Sequence, residues 1–312
     1  MIQNFLVVAG QVITLFLLMG VGFVLAKLGK LNKGGTTQMS TLILYVVSPC
    51  VIFHSFESGA ETVGGIDLLI FGGAYLASVL LLAAGGQLCF RRQPPERQGP
   101  LRFGLTYGNN GYMGLPLLEA TLGPQAVIYG AVSGLMFNLL MWTHGVGVLG
   151  GKVTPLKALV NPATLGFYAA LPVFFLGWRP PDPVDTTIGY LASLNTPLAM
   201  VVIGAQMADA DLKSCLTDRK LYGVAAYRLL LSPMVPLLGL TPLLNLGLDP
   251  LLYAACVIVC AVPSAGVTAI MSQRFGKDTA VAAQLVSLTT LLSMFTLPVY
   301  AVAAKTIAGI IP

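Results

Sequence analysis

Long apolar segments separated by short polar loops fill the chain. A helix needs about 20 apolar residues to cross a bilayer, and ten segments of suitable length can be marked among the 312 residues. The loops between them are too short to form a soluble domain. The pattern predicts an all-α polytopic membrane protein with ten transmembrane spans, numbered 1 to 10 in the order 5–26, 38–56, 66–90, 101–121, 125–149, 157–177, 187–208, 220–241, 250–273 and 279–306.

Composition and charge agree with a membrane location and indicate an orientation. Only 9% of the residues are charged, 56% are hydrophobic and the mean hydropathy is +0.82, whereas soluble domains carry about 25% charged residues. Fourteen of the 17 lysine and arginine residues fall in every second loop or within two residues of it, and such loops face the cytoplasm. We therefore expect a multi-pass protein of the cell membrane with both termini outside. The net charge of +5 then reflects orientation rather than binding to nucleic acid.

The ten predicted spans divide into two sets of five, in residues 1–150 and 151–312. Because five is an odd number, the second set would cross the membrane in the opposite direction to the first. Weak internal similarity supports this division, since Ser48-Pro49 in span 2 resembles Thr196-Pro197 in span 7. The sequence thus predicts two inverted five-helix repeats.

Spans 4 and 9 are interrupted by residues that weaken a helix. Span 4 contains YGNNGYMGLPLLEATLG at 107–123, with two adjacent amides, several glycines and a proline. When Gly123 is aligned with Gly276, Asn110-Gly111 falls opposite Pro263-Ser264. Interrupted segments at corresponding positions of two halves indicate the binding site of a transporter.

The residues of the span 4 interruption suggest separate roles. Pro116 suits the first turn of an outer half-helix, where its missing N–H is no loss. Gly111 and Gly114 permit non-helical backbone and the close approach of a neighbour. Asn109 and Asn110 offer amide donors and acceptors to a cavity. We therefore expect span 4 to be a broken helix that lines a binding site.

Span 9 carries a comparable interruption in VPSAGVT at 262–268, with Pro263, Ser264, Gly266 and Thr268 as its candidate site residues. If the two broken helices cross, their half-helix N-termini present unpaired N–H groups and positive dipole ends, which suit an anion. The alternative interpretation is a pair of proline kinks with glycines at a helix–helix contact.

The motifs NNGYMGLPLLEATLG and PSAGVTAIMSQRFGKDTAVAAQLVSLTTLLSMFTLPVY resemble the auxin efflux carrier family, which includes plant PIN-type carriers and bacterial carriers of malonate and other organic anions. Plant members have an asparagine seven residues before the span 4 proline, and Asn109 matches it. The span 9 motif is one residue longer here than in the family. The resemblance implies crossing helices 4 and 9, interleaved scaffold and transport domains, elevator-like alternating access and a homodimer.

Other polar residues within the spans are further candidates. Arg228 lies eight residues into span 8 and could hold a carboxylate or extend to the inner surface. Gln206, near the end of span 7, could face the pathway. Glu119 is expected to be an ordinary charge at the outer end of span 4, and His54 and His144 are expected to be hydrogen-bonded residues near the membrane surface rather than proton relays.

The leading function predicted from the sequence is a secondary carrier that moves a small organic anion, such as malonate or an auxin-like carboxylate, by alternating access. Two alternatives are a sodium-coupled symporter of the bile-acid-carrier type and a membrane sensor without transport. An enzyme is not expected, because the sequence lacks H-E-x-x-H, G-x-S-x-G and an acidic cluster. Cys256 and Cys260 share a helix face without a nearby histidine or acid. We therefore expect no catalytic residue, no cofactor and no bound metal.

Overall fold

A computed structural model describes residues 2–59, 63–153, 156, 159–160, 162–208, 215 and 217–310. All regular secondary structure in these ranges is helical. We number the α-helices α1 Ile2–Lys27, α2 Lys33–Leu42, α3 Ser48–Gly59, α4 Gly65–Leu88, α5 Pro95–Thr106, α6 Leu115–Leu122, α7 Val127–Leu140, α8 Val146–Val148, α9 Pro162–Leu176, α10 Asp182–Ser193, α11 Asn195–Ala208, α12 Arg219–Ala226, α13 Ser232–Leu244, α14 Pro250–Ala261, α15 Val267–Arg274 and α16 Thr279–Ile307. Single π-helical turns extend several of them, at Ile43–Val47, Asn110–Gly114, Met141–Gly145 and Tyr227–Leu231.

Seven helical segments of the described ranges are long and apolar enough to cross a membrane, namely Ala9–Lys27, Lys33–Glu57, Gly65–Leu88, Pro124–Val148, Asp182–Ala208, Arg219–Leu244 and Thr279–Ile307. The prediction of an all-helical, multi-pass protein is therefore confirmed. Predicted spans 4, 6 and 9 coincide with shorter helices. The count of ten spans and their inverted-repeat arrangement stay predictions.

Spans 4 and 9 are short because each is divided near its middle. Helix α5 ends at Thr106, and helical backbone resumes at Asn110 and continues into α6. In the same way α14 ends at Ala261 and α15 begins at Val267. The predicted interruptions are thus present as non-helical segments, and Pro116 lies in the first turn of α6 as expected.

Helix α14 lies at the centre of the fold. Every residue from Leu252 to Ala261 is buried, so this helix is covered on all sides by protein. A helix that is hydrophobic all round is expected in such a position. In contrast, much of the apolar surface of α1 is exposed, including Leu6, Ile13 and Leu17, as expected for a helix that faces lipid.

An ion-pair cluster joins the ends of α5, α12 and α16. Arg97 forms an ion pair with Asp218, and its Nε lies 3.7 Å from Asp278 Oδ2. Both acids also cap their helices, because Asp218 accepts from the Lys220 N–H and Asp278 from the Val281 N–H. Burial raises the pKa of the Asp218 carboxyl, but the hydrogen bonds from Lys220 and Arg97 outweigh that effect and hold the pKa below its ordinary value.

Helices α1 and α11 pack backbone against backbone through two glycines. A Cβ added to Gly22 would overlap the Val201 carbonyl oxygen, and one added to Gly204 would overlap the Met19 carbonyl oxygen. Small residues allow helices to approach closely in membranes, where apolar burial does not drive helix association. Any larger side chain at either position must push the two helices apart.

We expect Gly22→Val to lower stability strongly. Overpacking of a tight contact costs about 1–3 kcal/mol, and the overlapping atoms here belong to backbone that cannot move aside. Gly20→Val is the matched control, because Gly20 lies on the same helix, is exposed and has no neighbouring atom within 4 Å of an added Cβ. Thermal unfolding of the purified protein in detergent measures both. Equal melting temperatures for the two variants would contradict this packing.

Candidate functional site

The two helix interruptions lie side by side and hydrogen-bond to each other. The backbone N–H of Asn109 donates to the Pro263 carbonyl at 2.8 Å, and the N–H of Ala265 donates to the Tyr107 carbonyl at 2.9 Å. These bonds form a single antiparallel bridge between the broken segments. We call this contact, between residues 107–109 and 263–265, the junction. They satisfy backbone groups that the interrupted helices cannot pair internally, which a membrane interior requires.

Arg228 joins the two broken helices from the side. Its guanidinium donates to the carbonyls of Val262 at 2.9 Å, Thr106 at 3.2 Å and Cys260 at 3.3 Å. Thr106 ends α5, whereas Cys260 and Val262 lie at the end of α14. Only 2% of the Arg228 surface is exposed. Its side chain therefore does not extend to the inner surface. It caps the C-terminal ends of α5 and α14, the first halves of the two broken helices.

This arrangement makes the local electrostatic field asymmetric. The C-terminal end of a helix carries roughly half a negative charge and the N-terminal end half a positive charge. The Arg228 cation neutralises the negative ends of α5 and α14. The positive N-terminal ends, at the turn before α6 and at α15, have no acidic capping residue in their first turns. The junction is thus suited to an anion.

Gly108 is the glycine that this junction requires. A Cβ at Gly108 would overlap Arg228 Nη2 and lie 2.9 Å from Val262 Cγ2. From the sequence we predict the non-helical backbone and the close approach at Gly111 and Gly114 instead. That prediction is wrong, because both belong to a π-helical turn, and an added Cβ would have no neighbour at Gly111 and only ordinary contacts at Gly114.

The two adjacent asparagines have different surroundings. The Asn110 amide donates to the Tyr75 hydroxyl at 2.8 Å and to Ser133 Oγ at 3.1 Å, in a buried network between α4 and α7. Asn109 is also buried, and it donates its backbone N–H to the Pro263 carbonyl at the junction. Its side-chain amide carries donors and an acceptor next to the half-helix N-termini.

On the span 9 side, the structure brings Gln206 and Thr268 to the junction. Gln206 Oε1 lies 3.5 Å from the position of a Cβ added to Gly266. Thr268 Oγ1 is buried and has no hydrogen-bond partner within the described ranges. Ser264, in contrast, is fully engaged, since its Oγ donates to the Gly104 carbonyl at 2.7 Å and its N–H donates to Thr289 Oγ1 at 3.2 Å.

An open cleft of about 520 Å³ lies at the Arg102 end of span 4 and is lined by Gln87, Arg102, Thr143, His144, Gly147, Val148 and Val153. His144 Nδ1 lies 2.9 Å from the Tyr107 hydroxyl. Because that hydroxyl donates to the Leu140 carbonyl, it accepts from His144 Nδ1–H. One hydrogen bond thus separates the cleft wall from the broken segment, and the expectation of a hydrogen-bonded His144 is confirmed.

Glu119 lies near the other end of span 4, in α6. Its carboxylate accepts a hydrogen bond from the Thr196 hydroxyl at 3.1 Å and lines a second cleft of about 140 Å³. The cleft lined by Arg102 and the cleft lined by Glu119 therefore lie at opposite ends of span 4. Sequence reasoning missed the junction residues Tyr107 and Gly108, although both immediately precede the asparagine pair.

A multi-pass helical protein with two joined, interrupted helices has the architecture of a membrane transporter. The model of the family described as "Membrane transport protein" matches residues 7–150 and 147–301. The chain therefore belongs to this family, the auxin efflux carrier family that its motifs resemble.

Similar proteins cover nearly the whole chain. One is a Rhizobium meliloti protein named "Putative malonate transporter", 26% identical, with 93% of each chain covered. An "Uncharacterized transporter" of Methanothermobacter thermautotrophicus is 25% identical, over 93% of this chain and 96% of its own. Another from Methanocaldococcus jannaschii is 22% identical over the same shares.

We expect Gly108→Ala to destabilise the protein. The added methyl group would displace the Arg228 guanidinium and leave buried carbonyls without donors, each at a cost of about 1–3 kcal/mol. Gly111→Ala is the matched control in the same segment, because its Cβ enters open space. Thermal unfolding in detergent distinguishes them. A Gly108→Ala protein as stable as Gly111→Ala would show that Arg228 does not hold the junction.

Proposed function

We propose that this protein is a secondary carrier for a small organic anion, whose carboxylate binds at the junction of the two broken helices. The observation that carries the proposal is the position of Arg228. Its positive charge compensates the negative C-terminal ends of α5 and α14. The positive N-terminal ends of the second halves, at the turn before α6 and at α15, remain available at the junction. Membership of the family supports transport as the class of function. The positive helix ends at the junction support an anion as the substrate.

Three side chains are the proposed polar ligands, namely those of Asn109, Gln206 and Thr268. The Thr268 hydroxyl is buried and has no hydrogen-bond partner within the described ranges, and the amides of Asn109 and Gln206 offer donors and acceptors at the junction. The first N–H groups of a helix have no acceptor one turn back, so the backbone near Gly111 and Gly266 would add donors. Neither glycine carries a side chain that would shield these groups.

The remaining predicted site residues would shape the site rather than contact the anion. Asn110 holds the segment to α4 and α7 through Tyr75 and Ser133. Arg228 is occupied by three carbonyls, so we assign it the role of a positioning residue. The others set the backbone path, and they are Gly114, Pro116, Pro263 and Ser264.

A malonate-like dicarboxylate is the first substrate to test, because a relative that covers 93% of this chain carries malonate in its name. The cleft of about 520 Å³ is large enough for such a molecule or for an auxin-like acid. Arg102 in the cleft wall would attract the anion. We infer that this cleft is the substrate entrance in the present conformation.

For the whole molecule we propose ten spans in two inverted repeats, residues 1–150 and 151–312. Gly123 and Gly276 support the repeat, since each follows the second half of a broken helix with positive φ, 94° and 63°. The proposal includes interleaved scaffold and transport domains, elevator-like movement, a homodimer and a cell-membrane location with both termini outside.

Sodium coupling is the second candidate, because one observation favours it. Buried hydroxyls of Thr268, Ser272 and Thr290 have no hydrogen-bond partner within the described ranges, and hydroxyl oxygens can contribute to a cation site. A hard cation usually also has a carboxylate ligand, which these hydroxyls do not supply. A sensor without transport would bind the anion but give no flux.

The test is uptake of radiolabelled malonate, other small carboxylates and indole-3-acetate into proteoliposomes. We expect flux of at least one anion, and we expect Asn109→Ala to reduce it about 10- to 100-fold, because a hydrogen bond to a charged group is worth about 1.5–3 kcal/mol. Asn138→Ala is the matched control, since that amide donates to the Gly134 carbonyl within α7.

Runs with and without sodium, and with and without a pH gradient, identify the energy source. Flux that requires sodium would select the symporter. Binding without flux would select the sensor. Flux of an anion that is indifferent to Asn109→Ala would overturn the proposed position of the site.

A further inference from the structure

Three side chains able to bind a metal converge outside the junction, where α3 meets the first turn of α10. His54 and Glu57 are three residues apart on α3, so they lie on the same face of that helix. Asp185 belongs to the first turn of α10. One ligand atom from each of the three residues lies within 4.8 Å of the other two. From the sequence we expect no bound metal, because Cys256 and Cys260 have no nearby histidine or acid.

Glu57 makes this cluster more than a surface group of acids. Its surface is only 9% exposed, and its Oε2 has no hydrogen-bond donor within the described ranges. The same oxygen lies 3.8 Å from His54 Nδ1 and therefore points into the cluster. Asp185 Oδ1 is also buried and, among the described residues, without a hydrogen-bond partner.

The placement of these two carboxylates side by side is unfavourable unless a bound proton or a cation neutralises one of them. A buried charge needs a paired charge or a metal, and Glu57 also lies in the last turn of α3, where the helix dipole disfavours negative charge. Arg179 approaches from one side, with Nε 3.8 Å from Glu57 Oε1. When both acids are ionised, two carboxylates and one guanidinium leave one negative charge.

We propose that His54, Glu57 and Asp185 bind one Zn²⁺ ion. An imidazole combined with carboxylates suits zinc, whereas Ca²⁺ and Mg²⁺ prefer ligand sets made of oxygen alone. Zinc–ligand bonds of about 2.0–2.2 Å place the ligand atoms of a tetrahedral site about 3.4 Å apart. The three ligand atoms lie within 4.8 Å of one another, so side-chain movements of about 1 Å would bring them to bonding distance. Water would occupy the fourth position.

The ion has a path to this site. His54 lines the cleft of about 140 Å³ that also contains Glu119. Bound zinc would join α3 to α10, which belong to predicted spans 2 and 7. The inference does not depend on the proposed transport function, since it concerns a different part of the fold.

The test measures zinc bound to the purified full-length protein in detergent. After treatment with a chelator, the protein is dialysed against increasing free Zn²⁺, and bound metal is determined by mass spectrometry. His54→Ala, Glu57→Gln and Asp185→Asn remove the ligands, and Glu57→Gln keeps the shape while removing the buried charge. The controls are His144→Ala, which alters the only other histidine of the chain, and Asp182→Asn in the same turn as Asp185.

We expect one Zn²⁺ per wild-type chain and per control chain, and affinity about 100-fold weaker in each ligand variant. Added zinc should raise the melting temperature of the wild type and the controls only. Zinc binding that is unchanged in all three ligand variants, absent from the wild type or lost equally in His144→Ala would overturn the site. Tighter binding of Ca²⁺ than of Zn²⁺ at these residues would overturn the assignment of the metal.

Discussion

Buried backbone carbonyls at two broken helices must find donors in an interior without water, and Arg228 supplies them. Its guanidinium is bonded to carbonyls at the ends of both α5 and α14. An arginine alone in the membrane would be costly, and the carbonyls alone would be costly too. Each offsets the other, so the two interruptions are stable only together. The gap left by the missing side chain of Gly108 is what allows this contact.

The same constraint connects the fold to the proposed function. Arg228 compensates the negative C-terminal ends of α5 and α14. The positive N-terminal ends before α6 and at α15 can therefore attract an anion. Asn110 fixes the broken segment to its neighbours, and Asn109 is the amide proposed to contact the anion. The tight glycine contact between α1 and α11 involves Gly204, two residues before Gln206, whose side chain lies near Gly266 at the junction. Stability and anion binding thus depend on different residues within one short segment.

Much of this organisation could be predicted from the sequence. Apolar segment lengths and the Gly/Pro-rich segments of spans 4 and 9 indicated a helical membrane protein with two interruptions, because these are local properties. Which glycine matters could not be predicted, since only the neighbour Arg228 distinguishes Gly108 from Gly111. For the same reason the sequence does not distinguish Asn109 from Asn110. Only the folded structure shows that the Asn110 amide donates to the Tyr75 hydroxyl. The approach of Asp185 to α3 likewise depends on tertiary packing.

An experimental structure of the protein with bound malonate, or with the anion that gives the highest flux, tests the central claim most directly. The account predicts anion density at the junction, within hydrogen-bond distance of the Asn109 amide and the backbone N–H groups at the start of α15. Arg228 should remain on the carbonyls of α5 and α14. Density confined to the outer part of the cleft at Arg102, or an Arg228 side chain turned away from the carbonyls to hold the anion, would contradict it.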